Sequence, residues 1–321
     1  MKKLLTLLFL LFSFSTWSLT IKMAVVAPEG TSWSKHLKKM SKEIKKKTDG
    51  AVKIKIYYGG SQGDEPDVLR KVRVGQLHGG LFTGKTLGDI SGDVRVIEVP
   101  FTFNGNREKG WNTLNKMTPY FNSKFNKSGF MNLGFFELGM IYYVSQKKSS
   151  NLEDLKGTKI WSWEGDRLVS TMIDVMKLVS VPLPLPDVLS SLSTGIVEAA
   201  YAPPVGIIAL QWNTKIKYLV DFPIAYSIGA FMVSNKQWGK IKPAHQKIVK
   251  DLADEYIAKI NKDLIVENKD ALAALKASGV EFVSFPEKEA KRSSQIRSEI
   301  LAKMKGNLIS TEAIKSIQKE L

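Results

Sequence analysis

The 321-residue chain contains no cysteine, which excludes disulfides, a thiolate nucleophile and a Cys-ligated metal. Its 44% apolar and 24% charged residues describe a globular protein with a substantial core, and its length suits two domains of ordinary size. The net charge of +16 does not read as a nucleic-acid footprint. The lysines are interleaved with acids along helical stretches such as 41–47, and no basic–aromatic motif of a nucleic-acid module is present.

Lys2-Lys3, the Leu- and Phe-rich run over 4–14 and the small residues near Thr16 and Ser18 predict a signal peptide over 1–18, and so an exported, periplasmic protein. The run is too short for a comfortable transmembrane span, and no later segment approaches twenty apolar residues. Removing Lys2 and Lys3 lowers the net charge by two, to +14. Strands are predicted at 20–27, 52–58 and 80–83. Helices are predicted at 33–48, capped by Thr31 or Ser32, and at 66–76. Residues 94–99 and 134–144 read as extended, with a helix over 108–127 between them. The stretch D-L-K-G closes a turn before a strand at 158–163. Asp166 is placed to cap a helix reaching about residue 179, followed by a strand at 181–184 and a helix at 187–194. This alternation argues an α/β fold with strands of parallel type. Between Pro243 and Gly279 there is neither Gly nor Pro, so one helix of about 54 Å is predicted to lie across both domains. The alternative is a break at 261–263.

Most chemical motifs fail on context. Residues 79–86 match the phosphate-loop pattern G-x-x-x-x-G-K-[ST], but Leu81 and Phe82 read as the strand itself and 87–92 as poor helix material. His36, His78 and His245 are dispersed, so no metal site is proposed. No G-x-S-x-G elbow or assembled catalytic set is present, which argues against an enzyme. Carboxylate pairs such as Asp64-Glu65 and Glu164 with Asp166 stand near helix starts and read first as caps.

Trp161 and Trp163 alternate onto one face of their strand, where they form either core or the wall of an apolar pocket. Around them the chain carries a recognisable series. It runs from Y-Y-G-G-S-Q-G-D-E at 57–65 and V-R-V-G-Q-L-H at 72–78, through Val99-Pro100-Phe101, to N-L-E-D-L-K-G-T-K-I at 151–160 and L-S-T-G-I-V-E at 192–198. In this order and spacing the chain resembles the DctP family, the extracytoplasmic solute-binding subunits of tripartite ATP-independent periplasmic (TRAP) transporters. The resemblance covers 21–285. It implies a two-domain clamshell with crossing strands and a long domain-spanning helix, with 19–143 and 232–260 in one domain and 144–231 and 261–321 in the other. It also implies a ligand held in the cleft and handed to membrane subunits, with no cofactor.

Typical family members carry at position 161 an Arg that forks onto a substrate carboxylate, and an indole cannot replace a guanidinium there. The expectation is therefore an apolar or amphipathic ligand in an aromatic cleft lined by Trp161, Trp163, Tyr201, Phe82, Thr83, Phe101 and Phe136. This W-x-W-E-G-D branch also implies, as an option, a tetratricopeptide-type periplasmic partner. The alternative is a conventional carboxylate-binding subunit using Arg167, with Lys85 a weaker cation. Glu29, Glu137 and Glu164 are further candidates for a polar handle. A third possibility is an exported interaction module that has lost transport.

Overall fold

The computed structural model describes residues 18–321, so all of the predicted signal peptide except Ser18 lies outside the described residues. The first domain opens with β1 (Leu19–Ala24), α1 (Ser32–Lys47), β2 (Val52–Tyr57), α2 (Glu65–Arg73), β3 (Gly79–Thr83) and α3 (Gly84–Ile90). A 3₁₀ segment, Gly92–Glu98, leads to α4 (Arg107–Lys127) and β4 (Phe130–Ser145). The second domain follows with β5 (Lys159–Ser162), α5 (Arg167–Val175), β6 (Val179–Pro182), α6 (Val188–Thr194), β7 (Ala199–Ala202), α7 (Pro204–Ala209) and β8 (Tyr218–Val220). The chain then returns through β9 (Ala225–Ser234), α8 (Asn235–Trp238) and α9 (Pro243–Ala277), and ends with β10 (Glu281–Val283), α10 (Lys288–Met304) and α11 (Thr311–Gln318).

The strand order β2-β1-β3-β9-β4-β7-β5-β6 shows how the domains join. Each has a parallel nucleus, β1 with β2 and β3 in the first and β5 with β6 and β7 in the second. Antiparallel β9 and β4 link them. β4 pairs with β9 up to Ile141 and with β7 from Tyr142, so one strand serves both sheets. The result is the two-domain α/β clamshell with crossing strands. The expected divisions at 143/144, 231/232 and 260/261 fall inside β4, β9 and α9.

α9 is continuous through 261–263 and packs on α1, β4 and α7. The break weighed at this place does not form. Two asparagines explain what a polar pair does on the buried side of this helix. β4 shifts register between Asn132 and Phe135 and again between Glu137 and Gly139, which leaves backbone groups out of the ladder. Asn261 Oδ1 accepts the Glu137 N–H at 2.9 Å, and Asn268 Nδ2 donates to the Leu138 carbonyl at 2.9 Å. Asn268 Oδ1 also accepts the Val205 N–H at 3.1 Å, tying α7 to the same helix. No helix among the described residues is long and apolar enough to cross a membrane.

Two local expectations need correction. Residues 94–99 are not a strand: V-R-V-I alternates, but the segment closes into 3₁₀ turns with Asp93 through Glu98 all buried. Ser310 N–H donates to Asp93 Oδ1 at 2.7 Å, anchoring the segment to the C-terminal elements instead of to a neighbouring strand. Of residues 87–92, expected to be poor helix material, 87–90 complete α3 (Gly84–Ile90) despite Gly88, because Leu87 and Ile90 are buried in the hydrophobic core.

Candidate functional site

A cavity of about 380 Å³ lies between the domains, with walls drawn from both. The second domain contributes aromatic rings. Trp161, only 2% exposed, stacks on Tyr201 with centroids 5.0 Å apart and meets Trp212 edge-on at 5.5 Å. Its indole Nε1 donates to the Leu183 carbonyl at 2.9 Å. Core and pocket wall are thus one and the same for this residue: it packs inward and still borders the cavity. Trp163 stands 5.6 Å from it and donates its Nε1–H to Asp64 Oδ2 at 2.7 Å. Across the cavity, Phe136 on β4 packs against Trp33 at 5.9 Å. The Phe136 ring occupies the space where a Cβ on Gly229 would sit, so β9 requires glycine there.

The first domain contributes charge. Arg95, from the 3₁₀ segment, is 4% exposed, and its Nη2 donates to Asp166 Oδ1 and Oδ2 at 3.0 and 3.1 Å. Its Nε lies 3.3 Å from Glu98 Oε2 without a hydrogen bond. Burial opposes the guanidinium charge, but Asp166 and Glu98 outweigh it and hold Arg95 above its ordinary value. Glu98 is pushed up by burial, partly offset by Arg95 and by donors from Ile228 N–H and the Ser227 hydroxyl. Glu65, at the start of α2, accepts from Thr83 N–H at 2.8 Å and from the Thr83 hydroxyl at 3.0 Å. Its burial nevertheless raises it to about 7. Lys85 borders the cavity and pairs with Asp89 at 2.7 Å. Three buried polar groups in the wall, Arg95 Nε, the Tyr201 hydroxyl and the Ser32 hydroxyl, have no hydrogen-bond partner among the described residues.

Residues 23–307 match the family described as bacterial extracellular solute-binding protein, family 7, DctP. The chain belongs to that family. It is 22% identical over 289 residues to the 2,3-diketo-L-gulonate-binding periplasmic protein YiaO of Escherichia coli, covering 87% of this chain and 86% of the relative. Two solved structures share the fold. A TRAP periplasmic solute binding protein from Haemophilus influenzae with bound L-gulonate superposes with a TM-score of 0.87 at 19% identity, covering 94% and 99% of the two chains. One from Desulfovibrio salexigens with bound orotic acid gives 0.84 at 20% identity, covering 94% and 98%.

Within this DctP-family protein, Trp161, Trp163, Tyr201, Thr83 and Phe136 come together at the cavity, and three expected residues do not. Phe82 is completely buried on the other side of β3, because Leu81 and Thr83 take the cavity face and side chains alternate. Phe101 adopts φ +61° and packs on Phe222, leaving Pro100 at the wall. Arg167 is exposed and donates to the Asn307 carbonyl at 3.2 Å. Asp166, the helix cap, faces the cavity, and one residue further the helix has turned by about 100°, which carries Arg167 away. Glu29 pairs with Lys38 and Glu164 is exposed, both outside the lining. Glu137 is buried outside it, accepting from Arg107 and from the Tyr226 hydroxyl at 3.0 Å. The phosphate-loop match is a strand leading directly into α3, with no loop to cradle a phosphate.

Sequence reasoning missed Arg95, Glu98 and Trp33, and took Asp166 and Glu65 only as helix-start acids. The available signal for Arg95 was a cation within the apolar run Val94-Arg95-Val96-Ile97, since a charge that must be buried needs partners and often a task.

Proposed function

We propose that this protein captures a small organic acid in its interdomain cavity, in the periplasm, and presents it to TRAP-type membrane subunits. The observation that carries the reading is Arg95. Asp166 occupies only its Nη2, so the buried guanidinium keeps donors free of hydrogen bonds at the cavity wall, with the unpartnered Tyr201 hydroxyl in the same wall. A carboxylate entering there gains charge-assisted hydrogen bonds with fixed geometry. Burial favours the neutral form of Glu98, which limits repulsion, and Lys85 adds a second cation at the wall.

This replaces the apolar ligand expected from Trp161. Gulonate, orotate and diketogulonate, held by the relatives, are all organic acids. The missing arginine on β5 is offset by one from the opposite domain. The indole wall then favours an acid whose body is flat or apolar enough to lie on ring faces. The tetratricopeptide-type partner gains no support and is not part of the proposal.

Calorimetric titration of the ligand-stripped mature protein tests this, using matched pairs of acids and their neutral amides across aliphatic, sugar-derived and aromatic carboxylates. The expected result is binding of acids only, weakened about tenfold by Tyr201→Phe, the loss of one hydrogen bond. An amide that binds as tightly as its acid would contradict the proposal.

A further inference from the structure

On α1, Leu37, Met40 and Ile44 are buried in the core that the helix shares with β2 and α9. Each step along a helix turns by about 100°, so Lys35, Lys39, Lys42 and Lys46 fall within an arc of about 60° on the opposite face. All four are exposed and lie outside the cavity lining. They form a stripe about 16 Å long by helical rise. Lys38 and Lys45 border it on one side and are exposed as well. Of the α1 lysines only Lys38 makes an ion pair among the described residues, with Glu29. Glu43, the one acid of this helix, is half-buried at the edge of the arc.

This pattern works against the helix that carries it. Lysines three and four apart repel one another, and Lys35 follows a first turn that holds no acid, near the positive end of the helix dipole. The dipole accounts for Lys45 to Lys47 in the last turn but not for Lys35, Lys39 or Lys42. The neighbouring α9 shows the ordinary arrangement, in which Lys247, Lys250 and Lys259 each pair with an acid one turn away. We propose that the α1 stripe docks this protein on an anionic phospholipid surface, its ammonium groups meeting headgroup phosphates. Two features favour lipid over an acidic protein. The arc presents no aromatic, arginine or aliphatic side chain, the anchors on which protein interfaces concentrate their binding energy, and lysine is depleted from such interfaces. A hydrated ammonium on a flexible stem also suits a plane of mobile phosphates better than a fixed pocket. The contact is peripheral and electrostatic, and it does not depend on what the cavity holds.

Co-sedimentation of the full mature chain with vesicles tests this, using pure phosphatidylcholine and an equal mixture of phosphatidylcholine and phosphatidylglycerol. The expected result is binding to the anionic vesicles alone at low ionic strength, lost at about 1 M salt, where the screening length falls to about 3 Å. A lysine near an anionic surface contributes about fivefold to binding. Joint Lys35→Gln, Lys39→Gln, Lys42→Gln and Lys46→Gln should therefore weaken it by on the order of several hundredfold. A charge-matched control carries Lys215→Gln, Lys288→Gln, Lys291→Gln and Lys315→Gln, exposed lysines far from α1 in sequence, and should stay within about threefold of the unsubstituted chain. Both variants should unfold cooperatively, since every substitution is on the surface. Equal weakening in the two variants would overturn the inference by reducing it to net charge, and so would binding to phosphatidylcholine alone. Retention on immobilised polyglutamate without binding to anionic vesicles would overturn it in favour of an acidic protein surface.

Discussion

The two domains bring opposite surfaces to one cavity. The second offers Trp161, Trp163, Tyr201 and Trp212, of which the Trp161 and Trp163 indole donors are engaged by Leu183 and Asp64. The first offers Arg95, Glu98 and Lys85, whose charges are paired with each other, with Asp89, or with Asp166 across the cleft, together with Glu65, held by the Thr83 N–H and hydroxyl. Aromatic walls supply area and tolerate many shapes, whereas a buried guanidinium demands a particular partner. On the proposed function, selectivity resides in the first domain, although the conspicuous residues are in the second.

The sharpest way to break this contrast is Arg95→Leu. It leaves Glu98 and Asp166 buried without their cation, and should lower unfolding free energy by about 3–5 kcal/mol in urea denaturation and abolish acid binding. Glu65 gives a slightly smaller, pH-dependent effect. Burial raises its carboxyl to about 7 from 4.5, so the folded protein holds this proton more tightly than the unfolded chain. The stabilising contribution is full below about pH 4.5, and about 3 kcal/mol of it is lost as pH rises through 7. Glu65→Gln should remove that slope, being more stable than the unsubstituted protein at pH 8 and closely matched at pH 4.5, as followed by thermal unfolding across pH. The smallest effect belongs to Arg167→Ala. An exposed side chain bonded to one carbonyl should change stability by no more than about 0.5 kcal/mol and leave acid affinity unchanged in calorimetry.

Much of the architecture was legible because periodicity and punctuation carry it. Thr31 and Asp166 cap the helices predicted for them, and the Gly- and Pro-free stretch after Pro243 forms a single helix. The aromatic wall was legible for the same reason: strand alternation places Trp161 and Trp163 together. The charged wall was not. Arg95 meets Asp166 across 71 residues of sequence, through a 3₁₀ segment that imitates a strand, and no local pattern encodes that meeting. Arg167 shows the complementary failure. Its place in the first turn of the helix after the Trp strand suggested reach into the cleft, but helix geometry sends Asp166 toward the cavity and Arg167 away from it.

The most direct measurement is a crystal structure of the mature protein with the molecule it retains from its host or with the tightest acid from calorimetry. A carboxylate within about 3 Å of the Arg95 guanidinium, its body against the Trp161–Trp163 wall, is the predicted result. A ligand without an acidic group in the cavity, or a carboxylate bound at Arg167, would contradict the account.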